Sequence, residues 1–271
     1  SLTALDYRGF REQSEVRKYQ FTGEAGWDLA DTRSMPLFLT AMDTPVAQDP
    51  GGLTRQQAHQ DRRQASSFAT RLDAGQQVDQ QRLGLHYRDE AFANGLLNAR
   101  AFVSQRDFRQ QLPFPGSSLI DYQRRFYGAR LDYTLPFTIL ARPHRLLLGV
   151  DLDRQEDDRG RRAVSATGNI TAVTADEDQH ASAEGIFLQL DSNLSDHLMF
   201  TVGGRADRLR MTIDDALLTD GNDSGRREFE EHSYSAGLSW QVGPAHTLYT
   251  TISSAFESST FTELANPSGS G

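Results

Sequence analysis

Strict alternation of apolar and polar residues is the feature that most constrains how this chain can fold. Between positions 234 and 242 every even-numbered residue is apolar and every odd-numbered one is small or polar. Successive side chains of a strand point to opposite faces, so this segment has one apolar and one polar face. The pattern predicts a strand of a transmembrane β-barrel, which meets lipid on one face and a wet lumen on the other. The apolar members are Tyr234, Ala236, Leu238, Trp240 and Val242.

The same alternation recurs in eleven segments of the 271 residues, separated in turn by short turns and long polar stretches. A complete bacterial barrel has an even number of antiparallel strands, and large outer-membrane transporters have about 22. The sequence therefore predicts an all-β fold in which residues 1–271 form a partial barrel of about eleven strands, within a larger, 22-stranded one. The stretches predicted to be long extracellular loops are 43–78, 107–120, 156–181, 213–231 and 257–271.

Composition removes several other classes of protein. No run of residues approaches the roughly 18 consecutive apolar positions that a membrane-spanning helix needs. The chain has no cysteine, which excludes disulfides and thiol chemistry. Its net charge of −9, with no basic tail, argues against nucleic acid as a partner. A soluble β-sandwich also alternates and remains an alternative, but the alternating lengths of the connections favour the barrel.

Three segments resemble one protein family. Residues 255–269 (AFESSTFTELANPSG) lie where the last predicted strand runs out, residues 49–55 (DPGGLTR) lie in a predicted loop, and residues 121–128 (DYQRRFYG) begin the sixth predicted strand. Together with the strand pattern they resemble TonB-dependent outer-membrane receptors, in the branch that takes up ferric siderophores and ferric citrate. Ser258 and Ser259 depart from that pattern, in which a Pro or Thr is expected.

The resemblance implies both a cellular location and a function. It implies a protein of the bacterial outer membrane, surrounded by lipid, that takes up a ferric siderophore or similar metal chelate with energy supplied through the TonB complex. It implies neither covalent chemistry nor a bound cofactor. The family's N-terminal plug, through which TonB acts, and its last barrel strand are expected to lie outside residues 1–271.

Arginines are the candidate ligand-binding residues. Ferric siderophores are often anionic, and a guanidinium binds a carboxylate through two parallel hydrogen bonds. Four candidates fall on the polar face, two more are predicted in or beside the 107–120 loop, and two phenylalanines would supply flat contacts. In that order they are Arg106, Arg124, Arg130 and Arg205, then Arg109 and Arg125, then Phe108 and Phe126. The alternative is that inward arginines pair with carboxylates such as Asp132 and Asp207, or with the plug.

Other chemistry finds little support in the sequence. The seven histidines show no spacing typical of a metal site, and the acidic clusters do not match a twelve-residue calcium loop. We therefore expect no metal site and no catalytic residues. A barrel enzyme of the protease or lipase type remains an alternative, for which His232 with Asp220 or Ser233 is the best candidate set. A soluble β-rich binding module is the other alternative.

Overall fold

The computed structural model describes residues 1–258, 260 and 261, and almost all of them belong to one antiparallel sheet. Thirteen strands and two short helices are described. The strands are β1 (Leu2–Tyr7), β2 (Val16–Ala25), β3 (Asp28–Ala30), β4 (Arg33–Ser34), β5 (Leu37–Gln48), β6 (Gly75–Phe92), β7 (Gly95–Gln111), β8 (Gly116–Ile139), β9 (Arg142–Val164), β10 (Ile170–Asn193), β11 (Leu198–Asp215), β12 (Gly225–Gly243) and β13 (His246–Ser253), and the helices are α1 (Arg55–Gln60) and α2 (Ser67–Arg71).

The eleven predicted strands are confirmed as the continuous path of the sheet. Each pairs with its neighbours along the chain in the order β1-β2-β5-β6-β7-β8-β9-β10-β11-β12-β13. The two extra strands, β3 and β4, form a small hairpin that pairs with β6 through Arg33 and Asp89. The first and last strands of the described path do not pair with each other, so the sheet is an open section of a barrel.

Cross-strand register separates two faces of the sheet. Leu131 is paired with Val150 and both are exposed, at 47% and 40% of their surface. The neighbouring residue Asp132 points to the other face and is only 5% exposed. The same parity runs from β5 to β12, so an apolar band lies on one face and charged side chains lie on the other. The apolar face suits lipid, and the polar face is the inner wall of a barrel. None of the helices in the described part of the chain is long and apolar enough to cross a bilayer.

The two ends of the sheet have different connections. At one end, β6–β7 and β8–β9 are joined by two-residue turns at 93–94 and 140–141. Both residues of each turn have positive φ, between 48° and 65°, which is the type I′ geometry that matches the twist of paired strands. At the other end lie the connections 49–74, 112–115, 165–169 and 216–224, and we call this end the upper end.

Three of the predicted loops, 107–120, 156–181 and 213–231, are more than half strand, and this is the main correction to the sequence analysis. Strands β8 and β10 each have 24 residues, about 80 Å if extended, whereas a tilted membrane strand needs only about 9–11 residues. Beyond the bilayer both faces meet water, so the strands become polar on both sides and lose the alternation that identifies them. Cross-strand ion pairs such as Arg159–Glu177 accompany these polar stretches. The connections for the predicted loops 43–78, 107–120, 156–181 and 213–231 shrink to 49–74, 112–115, 165–169 and 216–224, while 257–271 lies mostly outside the described residues.

The 49–74 connection contains both helices and the clearest apolar core of the molecule. Leu72, at the end of α2, packs with Leu119 of β8 and Val164 of β9, and all three are buried. Arg11 ties the connection to the β1–β2 loop, donating hydrogen bonds of 2.7–3.1 Å to three of its carbonyl groups. Elsewhere no second layer of described residues covers the sheet, so its side chains pack mainly against neighbours on the same face.

Candidate functional site

The lower half of the inner wall carries a continuous set of ion pairs, which we call the lower ladder. The set crosses five adjacent strands, β7 to β11. Three guanidiniums alternate with three carboxylates, so its formal charge is zero. Its members are Arg100, Arg130, Arg205, Asp132, Asp151 and Asp207.

Two of the three carboxylates of the lower ladder each contact two arginines, and the third, Asp207, contacts Arg205 alone. Asp132 accepts from Arg100 at 2.7 Å and from Arg130 at 3.2 Å. Asp151 lies 2.6 Å from Arg205 and 3.7 Å from Arg130. All three arginines are ion-paired with carboxylates of the wall. The lower ladder therefore stabilises the wall and leaves none of its guanidiniums free for a ligand.

A phenylalanine ring holds two of the ladder arginines in place. The Phe187 ring lies 4.5 Å from the Arg130 guanidinium and 5.6 Å from that of Arg205, which places it in cation–π range of both. Its tip occupies the space where a Cβ on Gly149 would stand, only 2.2 Å away. The glycine on β9 is therefore required for this packing.

Above the ladder the inner wall changes character. The region combines aromatic rings with arginines on β6, β7 and β8 and one carboxylate on β9, and we call it the upper wall. Three guanidiniums lie there with Asp157 as their one ion-paired carboxylate, and a second carboxylate, Asp153 of β9, borders the region beside Phe102. Its members are Arg82, Arg106, Arg124, Phe102, Phe108, Tyr122, Phe126 and Asp157.

Arg124 is the neutralised arginine of the upper wall. It donates two parallel hydrogen bonds to Asp157, of 2.8 Å from Nε and 2.6 Å from Nη2, and its guanidinium lies 4.9 Å from the Tyr122 ring. The hydrogen bonds to Asp157 raise the pKa of the Arg124 guanidinium, with partial burial opposing them. Asp157 is 3% exposed, so the pair is a fixed part of the wall.

Arg106 and Arg82 are the uncompensated cations. Arg106 lies directly across from Arg124 in the β7–β8 register and 5.9 Å from the Phe108 ring, which itself stacks on Tyr122 at 4.8 Å. Arg82 lies 4.5 Å from the Phe102 ring. Neither forms a salt bridge with any residue that the structure describes, and the Nε of Arg106 is buried with no hydrogen-bond partner among them. Both guanidiniums thus keep hydrogen bonds and charge available for an anion.

A groove next to the stacked rings is large enough for a small chelate. Its volume is about 480 Å³, within the range of ordinary ligand pockets. Its lining includes Tyr122, Arg124, Asp157, Gln179 and Met211.

The structure divides the sequence-predicted arginines into three groups. Arg106 and Arg124 lie together on the upper wall with Phe108 and Phe126. Arg130 and Arg205 belong to the lower ladder, so for them the alternative of pairing with Asp132 and Asp207 describes the geometry. The prediction that the remaining two, Arg109 and Arg125, lie in or beside a loop is wrong.

Arg109 and Arg125 lie within β7 and β8, and their register places them on the outer face. In the strand register Arg109 lies opposite Asp121 and Arg125 lies opposite Glu156, with no salt bridge in either case. Position 125 is an odd number on a strand whose even positions point inward, so its side chain cannot reach the lumen. The sequence predicts a loop here because the end of β7 has no alternation of apolar and polar residues that would indicate a strand.

Sequence reasoning missed Arg82. It lies on the predicted polar face of its strand, between Gln81 and Leu83, and this parity was visible. What the sequence could not show is that the β6–β7 register brings it onto the Phe102 ring and leaves it without a carboxylate.

The structure does not support the two alternatives of a catalytic site and a metal site. His232 and Ser233 are consecutive residues of β12 and point to opposite faces, so they cannot form a catalytic pair. Among residues 1–258, 260 and 261, no group of three or more His, Cys, Asp or Glu side chains is arranged to hold a metal ion.

Comparison with protein families identifies the chain's relatives. The family model for the β-barrel of TonB-dependent receptor-like proteins matches residues 7–271. The chain belongs to the TonB-dependent receptors. This is a family of outer-membrane receptors and transporters, not of enzymes. A search of curated proteins finds no match.

Solved structures of TonB-dependent receptors share this fold. The unliganded ferric citrate transporter FecA aligns with a TM-score of 0.79 at 16% identity over 90% of this chain and 36% of its own. The alcaligin receptor FauA from Bordetella pertussis gives 0.65 and 15% over 88% and 35%, and the ferric yersiniabactin receptor FyuA from Yersinia pestis gives 0.67 and 14% over 92% and 40%. This section of a TonB-dependent receptor therefore spans 35–40% of the length of these three receptors.

Proposed function

We propose that the receptor containing this chain takes up an anionic ferric chelate, such as a ferric siderophore or ferric citrate, across the outer membrane. FecA is a ferric citrate transporter, and FyuA is a ferric yersiniabactin uptake receptor. TonB, acting on the plug of the receptor, supplies the energy. The chelate itself is cargo, and the reaction makes and breaks no covalent bond.

The observation that carries the proposal is the uncompensated charge of the upper wall. Arg82 and Arg106 are held by aromatic rings and form no salt bridge with a described residue, on the inner face and above the apolar band. An anion that enters from the upper end therefore meets cations that are fixed in position and have free donors. A guanidinium already aimed in this way binds a carboxylate with little loss of side-chain entropy.

The candidate residues take different parts in the proposed binding. Arg106 and Arg82 bind the anionic groups, and Phe108 and Phe126 present flat surfaces to the organic part of the chelate. Arg124 positions Tyr122 and contributes donors that Asp157 leaves free. Arg130 and Arg205 support the wall below, and Arg109 and Arg125 take no part.

Growth under iron starvation tests the proposal. A strain that depends on the full-length receptor, supplied with ferric citrate as its sole iron source, is expected to grow with the wild type and to fail when TonB is deleted. The variant Arg106→Gln should slow growth strongly.

Arg145→Gln is the matched control. This arginine is ion-paired with Asp191 at 2.6 Å near the short-turn end, so its loss should leave growth unchanged. The proposal is wrong if Arg106→Gln grows like the wild type on ferric citrate, or if growth does not depend on TonB.

A further inference from the structure

The outer face of β8 and β9 changes from apolar to cationic at one level. The last exposed apolar outward side chains toward the upper end are Tyr127 on β8 and Leu152 on β9, which are 37% and 53% exposed. The next outward residues are Arg125 and Arg154, and the register pairs Arg154 directly with Tyr127. Two arginines therefore lie where the lipid-facing band ends, on the side of the longer connections.

Both arginines are exposed and unpaired. Arg125 and Arg154 make no hydrogen bond or salt bridge with any residue in the described part of the chain. The adjacent carboxylate, Glu156, instead accepts a hydrogen bond of 3.1 Å from the hydroxyl of Tyr127. The two arginines are diagonal neighbours, which puts their Cβ atoms roughly 7–8 Å apart. That separation allows two guanidiniums to meet one phosphate.

Arginines on nearby strands of the same face behave differently. Arg208 of β11 is ion-paired with Glu228 and lies 3.3 Å from Glu230. Arg210 is ion-paired with Glu184 at 3.8 Å and with Glu228 at 3.5 Å. Arginine on the outer face therefore occurs in two states: Arg208 and Arg210 are ion-paired, whereas Arg125 and Arg154 beside Tyr127 have no ion pair with a described residue.

We propose that Arg125 and Arg154 bind the phosphate of a phosphorylated glycolipid in the outer leaflet of the outer membrane. The long connections of a barrel lie on the extracellular side, so this edge of the apolar band borders the outer leaflet. Guanidiniums bind phosphates bidentately, and a cation at the membrane interface is attracted by anionic headgroups. The exposed Tyr127 ring lies between polar and apolar surroundings, as aromatic side chains at membrane interfaces do. This site faces lipid and is independent of the ligand proposed for the lumen.

Binding of purified lipid A to the full-length receptor tests the proposal. The receptor in dodecyl maltoside is titrated with diphosphorylated lipid A, and bound glycolipid is counted by native mass spectrometry. The variant Arg125→Gln/Arg154→Gln should weaken binding about tenfold or more, because each cation near the headgroups contributes to the attraction. Arg125→Lys/Arg154→Lys keeps the charge without bidentate geometry and should fall in between.

Two controls decide which source of phosphate is bound. Arg208→Gln/Arg210→Gln changes two ion-paired arginines on the same face and should bind like the wild type. Dephosphorylated lipid A and phosphatidylglycerol should both bind weakly, with no effect of the variants. The proposal is overturned if the Arg125/Arg154 variant binds lipid A like the wild type, if the control variant loses binding equally, or if either of those two lipids binds as tightly.

Discussion

The upper wall and the lower ladder both combine arginines with aspartates and share strands β7, β8 and β9, yet their arginines are held differently. In the lower ladder three arginines meet three aspartates, and every guanidinium has a carboxylate within 3.2 Å. In the upper wall Arg82 and Arg106 face aromatic rings instead, and only Arg124 has an acid. Arginine on the inner face is thus a support in one region and a free donor in the other.

Cation–π contacts explain how the upper wall keeps its cations ordered without neutralising them. A ring within about 6 Å fixes the guanidinium plane and contributes about 0.5–1 kcal/mol at an exposed site. It accepts no strong hydrogen bond, so the N–H donors stay available. A carboxylate would fix the arginine more firmly but would compete with an anionic ligand.

Removing both free cations should have the largest effect on ligand binding. In Arg82→Gln/Arg106→Gln the Kd for ferric citrate is expected to rise by roughly a hundredfold, because each charge-assisted hydrogen bond contributes about 1.5–3 kcal/mol. Isothermal titration of the purified full-length receptor measures this. The distinction between the two regions fails if Arg130→Gln, in the lower ladder, raises the Kd as much.

Breaking the lower ladder should instead cost stability. Asp132→Asn removes the carboxylate that Arg100 and Arg130 share, and it also changes the partner of Asn98. We expect a loss of about 2 kcal/mol in the free energy of unfolding, less than for a fully buried pair because both arginines are partly exposed. Denaturant titration followed by tryptophan fluorescence checks this. An unchanged midpoint, or a Kd for ferric citrate raised more than about threefold, would contradict the division of roles.

A smaller loss of stability is expected when Phe187, the ring that contacts two arginines of the lower ladder, is crowded by a new side chain. In Gly149→Ala the new methyl group must displace Phe187, whose ring atom lies 2.2 Å from the added Cβ position. Overpacking of this kind destabilises by about 1–3 kcal/mol. Gly204→Ala is the control, since its nearest neighbour is 3.6 Å away, and it should change stability by less than about 0.5 kcal/mol. Equal effects of the two variants would show that Phe187 does not depend on the glycine.

A change in salt concentration should give the smallest measurable difference between the upper wall and the lower ladder. Raising the ionic strength from about 0.1 M to about 1 M shortens the Debye length from roughly 10 Å to roughly 3 Å. Attraction of an anion to the open upper wall should weaken by roughly threefold to fivefold, whereas the contact pairs of the lower ladder should change the unfolding midpoint little. The test pairs binding and unfolding measurements in the same buffers. A Kd that is independent of salt argues against charge as the source of affinity.

The alternation of apolar and polar residues predicts the strands where they cross the lipid. It is missing from the parts of the same strands that lie above the lipid. Residues 127–135 alternate because one face must be apolar, so β8 was found at this level. At 107–111 and 116–120 no lipid-facing apolar row is present and nothing in the composition distinguishes strand from loop, so the sequence predicts a loop where β7 and β8 continue. Likewise, α1 and α2 lie in a polar stretch with too few apolar residues to show a helical period.

The sequence by itself determined that this chain forms alternating antiparallel strands, which of their faces is polar, and that arginines line that face. It could do so because a strand's period of two follows from local backbone geometry. The tertiary structure alone decided which arginines are neutralised, since Arg205 meets Asp151 only through the register of three strands and lies 54 residues away from it in the chain. Register is a non-local property, and it made Arg82 and Arg106 free, Arg130 and Arg205 paired, and Arg125 a residue of the lipid face.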